Sequence, residues 1–283
     1  MSVVLTGEGR VESADGLSLY WRSWLPEKPT AALLFVHGLA EHSGRYTYPV
    51  EYFAPQGYAC YAFDYRGHGR SPGLKVHVNS FDEFLWDLDA AVALVVKEHP
   101  NLPLVGVGHS HGGLILLRYV TEKDSKLRGV VVSSPLLGIH ASTRPPAIKK
   151  ALAHVLSRLL PSVRLENNVD STYISRDPDV VRAYATDPLV SRKVSVRWFT
   201  SFLDALSRVH RGAPSLRVPA LVMASGDDHL VDVEATRRWV AAAPPERVTF
   251  VVWEGFYHEM FNEPENERVF RKMKTWMEAL LAD

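Results

Sequence analysis

The chain has 283 residues, of which 46% are hydrophobic and 23% charged, and its 32 basic and 32 acidic residues leave no formal net charge. These values are typical of a globular protein with a large core and exclude a disordered chain. The charge balance argues against nucleic-acid binding, and the single cysteine, Cys60, excludes an intrachain disulfide and a cysteine-based zinc site. With no visible secretory signal and no apolar run near the roughly 18 residues of a membrane span, we expect a cytoplasmic protein.

The predicted strands begin with a hairpin, in which Asp15-Gly16 forms the turn before residues 17–21. Short apolar runs follow at intervals along the chain. Such near-continuous runs are typical of strands buried on both faces, as in a parallel sheet. These predicted strands span residues 32–36, 59–63, 104–107, 129–132, 220–224 and 248–252.

Helical patterns lie between these runs. The clearest begins at Ser80, which has the spacing of a capping box with Glu83, and apolar residues then recur at helical spacing up to Val96. The repeated order of strand and helix predicts a doubly wound α/β fold, with a mostly parallel central sheet and helices on both faces.

The alternation stops after Pro135, and the chain up to about Val209 shows helical patterns and polar loops but no convincing strand. An excursion of this size predicts a helical cap over the carboxyl ends of the strands, where such folds bind ligands. We therefore divide the chain into an α/β core, residues 1–135 and 209–283, and an inserted cap, residues 136–208. The alternative is a separate helical domain that does not contribute to the site.

The segment Gly108-His109-Ser110-His111-Gly112 matches G-x-S-x-G, directly after a predicted strand and before a helical run. Glycines permit close backbone contact around a strained turn, and the helix N-terminus favours developing negative charge. The pattern predicts Ser110 as a nucleophile. A phosphate-binding loop is the alternative, but the glycine spacing fits neither common phosphate-binding motif.

A serine nucleophile needs a base, and the base needs an orienting carboxylate. In this type of fold they follow the serine in the order acid, then histidine, on loops after later strands. Asp227 and Asp228 follow one such strand and His258 follows the last, so we predict His258 as the base. His229 is disfavoured because it adjoins the acid itself.

Two backbone N–H groups are expected to bind the oxyanion. One should belong to His111, and the other to Leu39 in the loop after an earlier strand, where Gly38 allows close approach. Although His109 and His111 flank the serine, no third ligand completes a metal-binding pattern. We expect neither a metal nor a cofactor.

With these residues in place, the chain resembles the α/β-hydrolase superfamily, and within it the monoacylglycerol lipase and lysophospholipase group of serine aminopeptidase-like hydrolases. The resemblance implies the α/β-hydrolase fold with a helical cap. It also implies a serine carboxylester hydrolase that cleaves monoacylglycerols or related lipid esters through an acyl-enzyme. The matching segments are residues 37–46, 64–71, 108–113, 228–232 and 257–259.

By position in these segments, the resemblance implies Ser110 as the nucleophile, His258 as the base and Asp228 as the acid. Asp228 is preferred over Asp227 because the group places its acid four residues before a second aspartate, here Asp232. Asp227 remains the alternative.

The resemblance also implies that Glu41 and Arg45 lie at the polar end of the acyl pocket, where a glycerol headgroup would bind. Three positions depart from the group's pattern. His111 replaces a common methionine, and its imidazole could alter pH dependence or headgroup preference. Ala40 replaces a glycine, which is a mild change, and Phe261 stands where mammalian members carry histidine, so glycerol selectivity is not assumed.

Apolar residues line one face of a predicted cap helix within residues 148–160, and basic residues fall largely elsewhere. We expect this helix to pack over the acyl pocket with its basic face in solvent. The alternative is a transient contact with an anionic membrane surface. Either interpretation implies a small, apolar lipid ester as substrate.

Other activities are compatible with the same three side chains. A thioesterase, an aminopeptidase or an acyltransferase is an alternative enzyme, and a non-catalytic ligand-binding protein is the alternative of another class. Ser110 excludes a dehalogenase or epoxide hydrolase, which would carry aspartate there. An aminopeptidase should present acidic groups to a free amino terminus, and the predicted cap has no clear acidic cluster.

Overall fold

The computed structural model describes residues 4–167 and 169–282, so the predicted core limits Met1 and Asp283 lie outside the described residues. Within these ranges the chain forms a large central sheet and a small two-stranded one. The strands are β1 Gly7–Glu12, β2 Ser18–Trp24, β3 Ala31–Val36, β4 Tyr58–Phe63, β5 Leu104–His109, β6 Leu127–Ser133, β7 Arg164–Glu166, β8 Lys193–Ser195, β9 Ala220–Ser225 and β10 Val248–Trp253.

Helices cover both faces of the central sheet. The α-helices are α1 Thr47–Phe53, α2 Asp82–Glu98, α3 His111–Glu122, α4 Ala147–Leu159, α5 Pro178–Thr186, α6 Val196–Gly212, α7 Val233–Ala242 and α8 Asn266–Ala282. One apolar core lies between the sheet and α2, α3 and α7, and a second lies between the sheet and α1 and α8. Among the residues that the structure describes, none of the helices combines the length and the apolar character that a bilayer crossing requires.

The central sheet has the strand order β1-β2-β4-β3-β5-β6-β9-β10. The first two strands pair antiparallel, as predicted for the hairpin, and Gly16 in its turn has a φ of 81°. Strands β4, β3, β5, β6, β9 and β10, which are neighbours in this order, run parallel to one another, so their carboxyl ends meet at one edge. The predicted mostly parallel α/β sheet with helices on both faces is confirmed.

The apolar runs mark the strands because helices on both faces bury every residue of β3, β4, β5 and β9. At the start of α2, the Ser80 N–H donates to the Glu83 carboxylate (3.1 Å), and the Ser80 hydroxyl accepts from the Asp82 N–H (3.2 Å). Local side-chain chemistry therefore sets where this helix begins.

The segment between β6 and β9 differs from the prediction in one respect. Our expectation that it contains no strand is wrong, because β7 and β8 pair antiparallel, with Leu165 opposite Val194. Each strand has three residues, which is too short for a recognisable alternation. Helix α6 also continues to Gly212, through the boundary drawn between residues 208 and 209.

Polar contacts attach this segment to the carboxyl edge of the sheet. His42 Nε2 lies 2.9 Å from the Asp187 carboxylate. Arg176 Nε donates to the Glu263 carboxylate (2.5 Å), next to the hydrogen bond from the Ser175 hydroxyl to a backbone carbonyl (2.8 Å). These contacts hold the segment in position above the strand ends.

The orientation of helix α4 differs from our expectation, in which its apolar face was buried. Its apolar face points into solvent instead of packing onto the protein, since Ile148 and Leu159 are 78% and 72% exposed. The buried side of the helix carries small residues, Ala153 and Ser157, and the Ser157 hydroxyl contacts that of Thr200 in α6 at 2.8 Å. Small residues permit close helix packing, and the large apolar side chains are left in solvent.

Candidate active site

Ser110 lies on the turn between β5 and α3, with a strained backbone at φ 51° and ψ −113°. Its N–H donates to the Ser133 carbonyl (2.9 Å), and its carbonyl accepts from the N–H groups of Leu114 (3.1 Å) and Leu136 (2.9 Å). Because both backbone groups are hydrogen-bonded, the surrounding structure holds the turn in this conformation.

Glycines on either side of Ser110 allow the turn to pack against β3. A Cβ atom at Gly112 would lie 2.0 Å from the Val36 carbonyl oxygen, and one at Gly108 would lie 2.7 Å from the Gly112 carbonyl oxygen. Backbone atoms in a sheet and a helix cannot move aside, so a side chain fits neither position. This contact explains the glycines of the G-x-S-x-G pattern.

Asp228, His258 and Ser110 form a continuous chain of hydrogen bonds at the carboxyl edge of the sheet. His258 Nδ1 lies 2.7 Å from Asp228 Oδ2, and His258 Nε2 lies 3.0 Å from Ser110 Oγ. Asp228 Oδ1 accepts from the N–H groups of Leu230 (2.8 Å) and Val231 (3.0 Å). Because the carboxylate accepts a hydrogen bond from the Nδ1–H group, the unprotonated Nε2 is left to accept the proton of the serine.

The charges of this pair support each other in a buried setting. Burial disfavours the charged form of both side chains, since the Asp228 side chain is fully buried and that of His258 is 7% exposed. Their mutual attraction outweighs burial, so the pKa of Asp228 is lowered and the pKa of His258 is raised. The site therefore favours an imidazolium beside a carboxylate, the state that forms when Ser110 loses its proton.

The alternative candidates lie elsewhere. The Asp227 side chain is exposed, and its backbone N–H donates to the Phe256 carbonyl (3.1 Å). The ring of His229 lies against Tyr173, with ring centres 4.2 Å apart. The structure thus brings Asp228, rather than Asp227, to His258.

The loop after β3 holds the predicted oxyanion residue Leu39, which lines the same cavity as Ser110. The Gly38 N–H donates to Glu41 Oε1 and the Tyr65 hydroxyl donates to the Gly38 carbonyl, both at 2.6 Å. His111, the second predicted donor, is the first residue of α3, so its N–H has no acceptor within the helix.

The predicted headgroup residues belong to a buried network of charges. Arg45 donates to Glu41 (2.6 Å) and, through two bonds of 2.6 and 2.7 Å, to Glu259, which directly follows His258. Burial would raise the pKa of Glu259, but the Arg45 charge prevails and lowers it to about 2. The Arg45 guanidinium also lies 4.7 Å from the ring centre of Tyr184 in α5. Glu41 and Arg45 thus already have protein partners.

A cavity of about 290 Å³ opens above Ser110 and His258. Much of its wall is apolar, and α6 contributes Trp198, Phe199 and Phe202. The serine and the imidazole therefore line a largely apolar cavity.

The two histidines that flank the serine point in different directions. The ring centre of His109 lies 4.8 Å from that of His258, whereas the His111 ring packs in the core, 5.0 Å from Phe84. Burial lowers the pKa of both flanking histidines to about 3, so both are neutral near pH 7. The His111 ring thus packs in the core beside the turn, and it is absent from the residues that line the cavity above Ser110.

A mostly parallel sheet with a serine on a strained strand-to-helix turn, and an aspartate and a histidine on later strand ends, defines an α/β-hydrolase. The family described as serine aminopeptidase, S33, matches residues 27–265. The chain belongs to this family.

Similar proteins extend over nearly the whole chain. A monoacylglycerol lipase of Mycolicibacterium smegmatis is 34% identical over 264 residues, which are 93% of each chain. The phospholipase YtpA of Bacillus subtilis is 32% identical over 259 residues, 90% of this chain and 97% of the relative. The crystal structure of a Paleococcus ferrophilus monoacylglycerol lipase, 34% identical, covers 93% of this chain and 98% of its own, with a TM-score of 0.82. The resemblance inferred from the sequence is confirmed.

Three residues for which the sequence predicts no role lie beside the site. Glu259 follows His258 directly, and this adjacency was the available signal. Tyr65 lies in a matching segment without a recognisable chemical role, and Trp198 lies in a helix without any motif. Only the fold brings Tyr65 and Trp198 to His111.

Proposed function

We propose that this protein is a serine carboxylester hydrolase that cleaves monoacylglycerols or related lipid esters through an acyl-enzyme intermediate. The observation that carries the proposal is the hydrogen-bonded chain from Asp228 through His258 to Ser110, at the base of a largely apolar cavity. The similarity to a monoacylglycerol lipase and a phospholipase over nearly the whole chain supports a lipid ester as the substrate.

In the proposed reaction, Ser110 Oγ attacks the ester carbonyl while His258 Nε2 accepts its proton. Asp228 holds the imidazole in position and stabilises the imidazolium. The N–H groups of Leu39 and His111 bind the oxyanion of the tetrahedral intermediate. His258 then protonates the leaving alcohol, and a water molecule that gives its proton to the same imidazole releases the fatty acid from Ser110.

Charge pairing in the cavity favours an ester over a peptide with a free amino terminus. The acidic residues that line the cavity already face cations: Arg45 binds Glu41 and Glu259, and Lys193 lies 3.7 Å from Glu166. An amino terminus would have to compete with these pairs. The aminopeptidase alternative is therefore less favoured than the ester hydrolase.

The proposal retains Glu41 and Arg45 as the residues nearest a glycerol headgroup. Glu41 lines the main cavity, and a small recess lined by Glu41, Arg45 and Glu259 shares part of its wall. Carboxylate and guanidinium groups both hydrogen-bond hydroxyls. Glu41 also accepts a hydrogen bond from the Gly38 N–H and thereby holds the loop that carries Leu39.

We further propose that residues 136–208 act as a cap over the site and that α4 brings the cap to a lipid surface. The outward face of α4 and the residues after it are apolar, and Lys149, His154 and Arg158 are also exposed on this helix. A helix of this kind binds at an anionic membrane surface. The most exposed large apolar side chains here are Ile148, Leu152, Val155, Leu159, Leu160 and Leu165.

Ser110→Ala is expected to abolish both the hydrolysis of a monoacylglycerol and covalent labelling by a fluorophosphonate, because no nucleophile remains. Asp228→Asn is expected to lower kcat roughly 10⁴-fold, because the imidazole loses its orienting partner. Turnover of the purified protein on monoacylglycerols and p-nitrophenyl esters of graded chain length measures both effects.

Asp227→Asn is the matched control, since it makes the same substitution at the exposed neighbour and should keep wild-type turnover. The function is refuted if folded wild-type protein neither hydrolyses these esters nor reacts with the fluorophosphonate. The choice of acid is refuted if Asp227→Asn loses activity and Asp228→Asn does not.

A further inference from the structure

His111, the residue after Ser110, is fully buried and has a hydrogen-bond partner at each ring nitrogen. Its Nε2 lies 3.3 Å from Trp198 Nε1, and its Nδ1 lies 3.1 Å from the hydroxyl oxygen of Tyr65. The same hydroxyl lies 2.6 Å from the carbonyl oxygen of Gly38. These contacts form a continuous line from α6 to the loop after β3.

One arrangement of protons satisfies all three contacts. The Trp198 indole N–H can only donate, so His111 Nε2 must accept, and a neutral imidazole then carries its proton on Nδ1. His111 Nδ1–H therefore donates to the Tyr65 oxygen, and the Tyr65 hydroxyl donates to the Gly38 carbonyl. Burial lowers the pKa of His111 to about 3, so the ring is neutral, as this arrangement requires.

The final acceptor belongs to the peptide unit between Gly38 and Leu39. Because a peptide unit is planar, a hydrogen bond that fixes its carbonyl oxygen also fixes the direction of its N–H. That N–H is the Leu39 donor of the proposed oxyanion hole. The second donor is the backbone N–H of His111, the residue whose ring lies in the middle of the line.

The other end of the line lies in the wall of the substrate cavity. Trp198 lines this cavity from α6 and stacks on Phe202, with ring centres 5.2 Å apart and ring planes 3° from parallel. The stacked pair holds the indole N–H in place against His111. The line therefore joins the wall that would contact an acyl chain to the groups that would bind the oxyanion.

We propose that Trp198, His111 and Tyr65 form a hydrogen-bond relay that positions both oxyanion donors, so that all three are positioning residues for ester hydrolysis. This inference rests on the proposed function. A methionine in place of His111 could not carry the relay, because its side chain has no donor and only a weak acceptor.

Tyr65→Phe tests the relay, because it removes the hydroxyl and keeps the ring. We expect kcat on a monoacylglycerol to fall about tenfold with KM within about twofold, since the oxyanion forms only after the substrate has bound. The affinity for an alkyl boronic acid, whose tetrahedral adduct on Ser110 places an oxygen in the oxyanion position, should fall by a similar factor.

The matched control is Tyr61→Phe, because Tyr61 forms another tyrosine–histidine contact, partly buried and 2.9 Å from His99 Nε2, outside the site. It should leave kcat and the boronic acid affinity unchanged. The relay is overturned if Tyr65→Phe changes these two quantities no more than Tyr61→Phe does.

His111→Met removes both ring contacts and should lower kcat at least as much as Tyr65→Phe. The double variant with Tyr65→Phe should have a kcat only slightly below that of His111→Met alone, because both changes break the same relay. Losses that multiply independently would contradict the proposal.

A measurement on the wild-type protein keeps the test decisive if these variants do not fold. The relay requires the Nδ1–H tautomer of His111, which ¹⁵N NMR of the imidazole identifies, and the Nε2–H tautomer would overturn it. The tautomer does not depend on turnover. A wild-type protein that is inactive on every ester would therefore refute the proposed function separately.

Discussion

Three buried histidines near the site differ in the direction of their pKa shifts: the pKa is lowered for His37 and His109 and raised for His258. Burial lowers the pKa of His37 to about 4 and that of His109 to about 3. Burial also acts against the charged form of His258, but the Asp228 carboxylate raises its pKa above the ordinary value. Of these three side chains, His258 is the one whose pKa lies above the ordinary value of histidine.

The acidic limb of kcat/KM is therefore expected above pH 6.5, the ordinary pKa of histidine. A raised pKa keeps His258 protonated to a higher pH, and a protonated imidazole cannot accept the Ser110 proton. Activity should thus be lost as the pH falls through this pKa. A pH profile of kcat/KM measures the limb, and a limb below pH 6.5 would contradict the prediction.

The rate of labelling by a fluorophosphonate provides the control for this profile. It depends on the same serine and imidazole but not on ester substrate, so it should show the same acidic limb. A limb present only in ester turnover would place the ionisation in the substrate-binding step rather than at His258.

Ala40 has a backbone conformation that is energetically unfavourable for a residue with a side chain. Its φ of 63° lies in the left-handed region, and its carbonyl accepts from the Ser191 N–H (2.8 Å). Such a conformation costs a residue with a Cβ atom about 1–2 kcal/mol. Relative to the glycine that the resemblance implies here, alanine is a mild change in side-chain size but not in backbone conformation.

At the scale of secondary structure, Arg66 joins the N-terminal hairpin to α2. It donates to Asp87 (2.7 to 3.1 Å), to Asp15 (2.8 Å), to Glu83 (2.9 Å) and to the Ser13 hydroxyl (3.1 Å). The side chain of Asp87 is fully buried, so Arg66 compensates a charge that water cannot reach.

Arg66→Met is therefore expected to lower the free energy of unfolding by about 3–5 kcal/mol, because Asp87 would remain buried without its cation. Arg70→Met is the control. The Arg70 side chain is 53% exposed and lies 3.7 Å from Glu8, so its loss should cost about 1 kcal/mol or less. Urea denaturation of both variants measures the difference, and equal losses would contradict this account of Arg66.

At the scale of the whole molecule, the outward face of α4 is expected to control activity on lipid surfaces. Leu152→Glu should weaken binding to vesicles that contain anionic lipid by about tenfold or more, because it replaces a side chain that would be buried in lipid with a negative charge. Turnover of long-chain monoacylglycerol in such vesicles should fall with it, while turnover of a dissolved short-chain ester is retained.

Leu25→Glu is the control for this prediction, because Leu25 is also exposed but follows β2 at the opposite edge of the sheet. It should change neither vesicle binding nor turnover. Vesicles that fail to bind the wild-type protein or to raise its long-chain turnover would refute membrane docking through α4.

The sequence alone determined the strands of the central sheet, their mostly parallel arrangement, and the positions of Ser110 and His258 after strands. These features depend on local requirements that neighbouring residues express directly. Strands buried on both faces must be apolar at every position, and the turn at Ser110 needs glycines where backbones meet. Such requirements leave a pattern in a short window of residues.

Only the tertiary structure brought Asp228 to the His258 imidazole, turned the apolar face of α4 outward and joined Trp198 to Tyr65 through His111. Each outcome depends on which distant segments meet, and adjacent residues such as Asp227 and Asp228 have the same local chemistry. Burial distinguishes the two aspartates, because a buried polar side chain has few partners within hydrogen-bonding distance. Close packing orients α4, because its small residues let it approach α6.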